Sequence, residues 1–169
     1  MSVAAVSHRP EVITPVTALA LAPDHPLLQQ AHKKALEQGL AYSGIVTPAQ
    51  AWTLVAEQAV VLVDVRTAEE RKFVGYVPGS LSIPWQIGTS MQTNPRFLRE
   101  LEAKVSKDTP VLLLCRSGAR SAAAAAAATR AGFKHVYSVA EGFERDLDEG
   151  RHRGNHNGWR FHRLPWVQD

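Results

Sequence analysis

The chain has 169 residues, 45% of them hydrophobic and 21% charged. That is one domain's worth of ordinary globular sequence, and it excludes a wholly disordered, collagen-like or coiled-coil chain. The net charge of +3 is too small for a nucleic-acid protein, charges or prolines interrupt every apolar run well short of the roughly 18 residues a membrane span needs, and a lone cysteine, Cys115, excludes an internal disulfide and a CxxC metal knuckle.

Residues 1–23 carry Pro10, Pro15 and Pro23 and read as an irregular arm. The apolar stretch Val12 to Ala22 raises the alternative of a secretory signal, but Pro15 breaks it and Arg9 is the only cation before it, with Glu11 alongside. A soluble, cytoplasmic protein is the expectation. Asp24 and Pro26 start a helix over residues 24–40 whose Leu27, Leu28, Ala31, Ala35 and Leu36 recur at helical spacing until Gly39. Residues 41–150 form the main domain. Thr47 with Gln50 three residues on is a capping box opening a helix to about Gln58. Val60 to Val65 is a strand, Thr67 to Lys72 a helical turn or two, Leu81 to Pro84 a short strand and Asn94 to Val105 a helix. Val111 to Leu114 is a fully apolar strand ending at Cys115, followed by a loop to Arg120 and a helix over Ser121 to Ala131. Its seven consecutive alanines, Ala122 to Ala128, suit close packing on a sheet. His135 to Val139 is a strand and Glu141 to Glu149 a last helix. Strands alternating with helices imply an α/β fold: a doubly wound, mainly parallel sheet with helices on both faces, plus an N-terminal helical extension. Residues 151–169 form a tail with four arginines against Asp169, and its Trp159, Phe161 and Trp166 are expected to pin it to the domain.

The chemistry lies in Cys115-Arg116-Ser117-Gly118-Ala119-Arg120-Ser121. A thiol at the C-terminal end of a parallel strand sits where open α/β sheets bind ligands. Loop amides and a helix N-terminus point at it, Arg116 and Arg120 add two cations, and all three favour a reactive thiolate. A buried core cysteine is the bland alternative, which the polar, glycine-containing, twice-cationic sequence around it argues against.

This loop resembles the C-R-x-G-x-R active-site loop of rhodanese-type sulfurtransferases. Two further stretches support the resemblance. Val63-Asp64-Val65-Arg66, then Gly75 to Ser80, then Ile83-Pro84, is similar to the family's D-V-R … G-H-I-P-G-A … I-P signature. Gly132-Phe133 through Val136-Tyr137 to Glu141-Gly142-Phe143 is similar to its G-[YF]-x-x-V … G-G-[FWY]. The match runs from about Thr47 to Glu149. Two departures are Tyr76 in place of the usual His and Ala140-Glu141-Gly142 in place of a Gly-Gly pair.

The resemblance implies a single-domain sulfurtransferase that moves sulfane sulfur from thiosulfate or a related donor to cyanide or a thiol through a persulfide on Cys115. In that scheme Arg116 and Arg120 grip an anionic donor and the amides of Ser117, Gly118 and Ala119 line its cradle. Gly118 is there because the turn needs a conformation open mainly to glycine. Asp64 and Arg66 form a supporting ion pair, and Ser121 supports the loop. The partners are a small-molecule sulfur donor and a thiol or cyanide acceptor, with a protein thiol among the acceptors. No cofactor, nucleic acid or membrane is expected, and no metal, since His152 and His156 have no second ligand pair. The alternatives are a non-catalytic rhodanese-fold binding module, against which Cys115 and both arginines argue, and a cysteine phosphatase or arsenate reductase. The latter has a C-x5-R loop, one residue longer than the loop from Cys115 to Arg120, and no acid here is assignable to protonate a leaving oxygen.

Overall fold

A computed structural model describes residues 22–169. The arm over residues 1–23, all but its last two residues, and the apolar Val12 to Leu21 lie outside the described residues. Five parallel strands form the central sheet in the order β1-β7-β6-β2-β3: β1 (Gly44–Val46), β2 (Val61–Asp64), β3 (Leu81–Ser82), β6 (Val111–Leu114) and β7 (Val136–Val139). A separate antiparallel pair, β4 (Gln86–Ile87) and β5 (Gln92–Thr93), makes a small hairpin after β3.

Alternation along the strands sorts side chains into two cores. Leu62, Leu112, Leu114, Tyr137 and Val139 face one side, where they meet Leu28 and Ala31 of α1 (Pro26–Gln38) and Ala51 and Leu54 of α2 (Pro48–Ala56). Val63, Leu113, Cys115 and Val136 face the other, against Phe97 and Leu101 of α4 (Phe97–Lys104) and Ala124, Ala125 and Ala128 of α5 (Ala119–Arg130). Helices therefore cover both faces. β6 lies between two parallel neighbours and is buried at every position, which is why its sequence is continuously apolar rather than alternating. The alanine run does serve close packing: Ala124, Ala125, Ala127 and Ala128 are buried beneath α5.

Local signals set most boundaries. Thr47 and Gln50 form the capping box of α2, with the Gln50 amide donating to Thr47 Oγ1 and the Thr47 amide to Gln50 Oε1. Thr67 and Glu70 form a second one, opening α3 (Ala68–Val74). α1 is capped by His25, whose Nδ1 accepts from the Leu27 amide at 3.1 Å, rather than by Asp24. α5 begins at Ala119, two residues before the expected Ser121, because Gly118 takes a left-handed conformation (φ +100°) and turns the chain straight from the loop into the helix.

The expected helix over Glu141 to Glu149 is not formed. Glu141 and Gly142 are both left-handed (φ +63° and +62°). Left-handed residues cannot start a right-handed helix, and the next two are held against the loop, where the Phe143 amide donates to the Cys115 carbonyl at 2.8 Å and that of Glu144 to the Arg116 carbonyl at 3.1 Å. The chain then turns through Leu147 and Arg153, which pair as an isolated antiparallel bridge.

Beyond that turn the tail returns to the domain. Trp159 is fully buried, edge-on to Trp52, and its indole donates to the Pro165 carbonyl at 2.9 Å. Trp166 lies edge-on to Phe143, with the Arg160 guanidinium 4.6 Å above its ring. Val167 pairs with Tyr76 through two backbone hydrogen bonds. Phe161 takes no part in this anchoring and is 45% exposed.

Candidate active site

The loop after β6 curls back over the residue that begins it. The Gly118 amide donates to Cys115 Sγ at 3.0 Å, and the Cys115 thiol reaches Ser121 Oγ at 3.4 Å. Ser121, in the first turn of α5, donates to the Gly118 carbonyl at 3.1 Å and lies 2.8 Å from the Ser138 hydroxyl on β7. A serine hydroxyl rotates to suit its partner. Ser121 can therefore accept from the thiol and donate to the thiolate. The amides of Ser117, Ala119 and Arg120 have no backbone acceptor among the described residues. Three free N–H groups, one already on sulfur and a helix N-terminus make this loop a place for negative charge.

The loop is braced from below. Phe143 and Glu144 hold the carbonyls of Cys115 and Arg116 as described, and Gly142 passes so close to them that an added Cβ would stand 2.4 Å from the Arg116 carbonyl and 2.5 Å from that of Cys115. The two left-handed residues Glu141 and Gly142 stand where the related motif has two glycines. Glu141 takes the conformation as a non-glycine, and its carboxylate accepts from the Gly158 amide and bonds His162 Nε2, each at 2.8 Å. These bonds tie the tail to the base of the site and hold the Glu141 carboxyl below the usual range, with partial burial working the other way.

Asp64 and Arg66, at the end of β2, are buried and paired. Arg66 Nε and Nη2 donate to the two Asp64 oxygens at 3.0 and 2.8 Å, and Nη2 also donates to the Gly75 carbonyl at 2.7 Å. The Arg66 guanidinium lies 4.1 Å from the centre of the Phe143 ring. Arg71 joins the network, donating to Asp64 Oδ2 and Ser80 Oγ, each at 2.9 Å. The carboxylate thus links the end of β2, α3, the turn at Gly75 to Ser80 and the strut beneath the loop. A buried pair whose remaining donors and acceptors are satisfied holds its surroundings in one arrangement, and removal of one partner leaves an uncompensated charge.

The two loop arginines are placed differently. Arg116 is exposed and has no ion-pair partner among the described residues. Arg120 is held by Glu70 in a two-pronged pair, both contacts at 2.7 Å. Partial burial opposes the Glu70 charge, but hydrogen bonds from Arg120 and Thr67 and the Arg120 charge outweigh it and bring its carboxyl down to about 2. Burial likewise opposes the Arg120 charge, but the hydrogen bonds to Glu70 and its charge outweigh it and raise that group above its ordinary value.

Glu70, Arg71 and Ser138 were absent from the sequence-based site. Glu70 had a signal, the T-x-x-E capping-box spacing from Thr67, the acidic counterpart of the T-x-x-Q that marks α2 at Thr47. Ser138 had a weaker one, since period two along β7 puts it on the Val136 face, toward α5.

The family profile of the rhodanese-like domain matches residues 47–148. The chain belongs to that family. The crystal structure of Rv0390 from M. tuberculosis is similar to this rhodanese-like chain with a TM-score of 0.69 and 41% identity, covering 76% of this chain and 99% of that one. Uncharacterized protein RP600 of Rickettsia prowazekii is 36% identical over 115 residues, 67% of this chain and 87% of its own length. The mouse thiosulfate sulfurtransferase/rhodanese-like domain-containing protein 3 is 31% identical over 102 residues, 59% of this chain and 65% of its own. As expected from its motifs, this chain carries a rhodanese-like domain with a mainly parallel sheet. Among the described residues no helix is long and apolar enough to cross a membrane.

Proposed function

We propose that this rhodanese-like chain is a sulfurtransferase that carries sulfane sulfur on Cys115. The observation that carries this reading is the Gly118 amide 3.0 Å from Cys115 Sγ inside a loop with further free amides. The thiolate attacks the outer sulfur of thiosulfate. A Cys115 S–S bond forms, the bond to the sulfonate sulfur breaks, and sulfite leaves with its electron pair. In the second half-reaction cyanide or a thiolate takes the terminal sulfur, and the Cys115 thiolate is regenerated with the electrons of the broken S–S bond.

Cys115 is only 1% exposed. A persulfide places the transferable atom roughly 2 Å beyond the thiol sulfur, the length of one S–S bond. Its negative charge is then among the amides of Ser117, Gly118 and Ala119, where preorganised donors stabilise charge without rearrangement. Arg116, exposed and without an ion-pair partner among the described residues, gathers the anionic donor at the mouth. Arg120, its charge shared with Glu70, acts nearer the sulfur. Asp64, Arg66 and Ser121 keep the loop in shape. A ring closed by four residues between Cys115 and Arg120 suits one sulfur atom better than a tetrahedral oxyanion, which disfavours phosphatase chemistry. The acceptor in this reading is a small thiol, cyanide or a protein thiol, and the compartment is the cytoplasm.

Intact mass after incubation with thiosulfate tests it. The wild type is expected to gain one sulfur atom and lose it to a thiol or cyanide, with stoichiometric sulfite released. Cys115→Ser should gain nothing while remaining folded, because its hydroxyl is not ionised. A wild type that gains no sulfur, or a serine variant that still turns over, would overturn the reading.

A further inference from the structure

A second feature lies away from the Cys115 loop. The end of α3, the turn after β7 and the tail enclose an open cleft of roughly 540 Å3. Phe73 and Leu147 give it an apolar lining and are 68% and 44% exposed. Single exposed apolar side chains need no explanation, but two that share one concave surface are a recognisable binding feature. Arg151, Arg153 and Arg160 supply the charge around them. The only carboxylate in the lining is Glu144, and Arg160 has taken it in an ion pair at 3.0 Å. Arg151 and Arg153 have no ion-pair partner among the described residues, although Arg153 donates to the Arg145 carbonyl. The cleft thus joins apolar surface to two uncompensated guanidiniums.

The cleft is also mechanically connected to the loop. Its floor residue Glu144 donates its amide to the Arg116 carbonyl at 3.1 Å. Arg160, in its wall, takes the Phe143 carbonyl with its own amide at 3.2 Å.

We infer that this cleft docks an acidic segment of a partner protein, seating one apolar side chain of that segment between Phe73 and Leu147 while its carboxylates meet Arg151 and Arg153. Charge complementarity selects the partner. A basic segment is repelled, a neutral apolar one leaves two guanidiniums without counter-ions, and the apolar centre with a charged rim follows the usual anatomy of an interface. The inference stands whether or not Cys115 transfers sulfur.

The test is fluorescence anisotropy on the full chain with a labelled peptide in which Glu and Asp flank a central Leu-Phe pair. Saturable binding is expected, weakening as salt is raised. Arg151→Glu with Arg153→Glu should weaken it by about tenfold or more, and Phe73→Ala, at an exposed position that does not endanger folding, by roughly fivefold. Lys33→Glu with Lys34→Glu on the exposed side of α1 makes the same change in net charge elsewhere and should leave binding within about twofold. Equal losses in the two charge-reversed pairs, or no saturable binding by the wild type, would overturn the inference. So would a concentration-dependent dimer that Phe73→Ala converts to a monomer, because the cleft would then be covered by a second copy of the chain. Sulfur loading of Cys115 by mass, measured on the same variants, is expected to be unchanged, which keeps failure of docking distinct from failure of the sulfurtransferase reading.

Discussion

Glu70 holds Arg120 with both carboxylate oxygens, each 2.7 Å from a guanidinium nitrogen, across the mouth of the loop that contains Cys115. The same carboxylate caps α3 by accepting from the Thr67 amide at 2.9 Å. One side chain therefore fixes both the helix that follows β2 and the cation that ends the Cys115 loop. Arg120 is rigidly aimed, and its charge is partly spent before any donor arrives.

Glu70→Gln keeps an acceptor for the Thr67 amide while removing the charge that Arg120 answers. The freed guanidinium should bind thiosulfate better, and we expect the KM for thiosulfate to fall by roughly threefold to tenfold, the range for one charge-assisted contact at a partly exposed site. An uncharged organic trisulfide should show no comparable gain. Steady-state rates with both donors check this, and equal changes for the two would mean that Glu70 acts on loop geometry rather than on donor charge.

The same carboxylate predicts an acid dependence of stability. Its folded-state value of about 2 lies below the ordinary 4.5. A lowered value means that the contribution is fully present above about pH 4.5 and is lost as pH falls toward 2. With the Glu70 side chain 19% exposed, and after allowance for solvent screening, this is on the order of 2 kcal/mol. The melting temperature of wild type should exceed that of Glu70→Gln by a constant margin from pH 7 to 5, and the margin should close between about pH 4.5 and 2. A margin that shrinks already between pH 7 and 5 would point to a different titrating group.

Most of the sheet was legible in the sequence because its inner strands β2, β6 and β7 are buried almost throughout, and a buried parallel strand reads as an apolar run, as Val111 to Leu114 does. β1 was not legible. Three residues with Ile45 exposed between buried Gly44 and Val46 carry too short a pattern, and the strand exists by pairing with β7, a partner distant in sequence. The false helix over Glu141 to Glu149 had suitable residues, but Glu141 and Gly142 are left-handed and bring Phe143 and Glu144 against the carbonyls of Cys115 and Arg116, a long-range contact that no local pattern encodes. In the site, Cys115 and Arg116 to Ser121 could be read because they are contiguous. Glu70 and Ser138 lie 50 and 17 residues from their partners Arg120 and Ser121, and only the fold brings them together.

Ser138 has a specific role to test. Its hydroxyl lies 2.8 Å from that of Ser121, which in turn is 3.4 Å from Cys115 Sγ. When Ser138 donates to Ser121, the Ser121 proton is directed to the Gly118 carbonyl or to the thiolate. Ser138→Ala removes that constraint without touching sulfur, so the rate of Cys115 alkylation by iodoacetamide at pH 7 should fall by roughly fivefold, equivalent to about one hydrogen bond. Ser121→Ala should cost more. Circular dichroism should show both variants folded. An unchanged alkylation rate in Ser138→Ala would make the serine pair a packing feature only.

Gly142 and Gly118 separate the support of the loop from its chemistry. Both have positive φ, but their surroundings differ. A Cβ on Gly142 would stand 2.4 Å from the carbon and oxygen of the Arg116 carbonyl, and these are backbone atoms that cannot swing aside. A Cβ on Gly118 meets nothing nearer than the Val139 carbonyl oxygen at 3.8 Å. Gly118→Ala therefore bears the left-handed strain alone, about 1 to 2 kcal/mol. Gly142→Ala bears that strain and must also push the strut away from the loop, breaking the bonds from Phe143 and Glu144, for a total above about 3 kcal/mol. Urea midpoints should rank wild type, Gly118→Ala, Gly142→Ala in falling order. Sulfur loading should order differently under conditions where all three are folded. Gly118→Ala shifts the amide that bonds Cys115 Sγ and should load poorly although folded, whereas folded Gly142→Ala should load more fully than Gly118→Ala despite its lower midpoint. A Gly142→Ala midpoint equal to that of wild type would show that the strut yields, and the rigid brace beneath Cys115 would have to be abandoned.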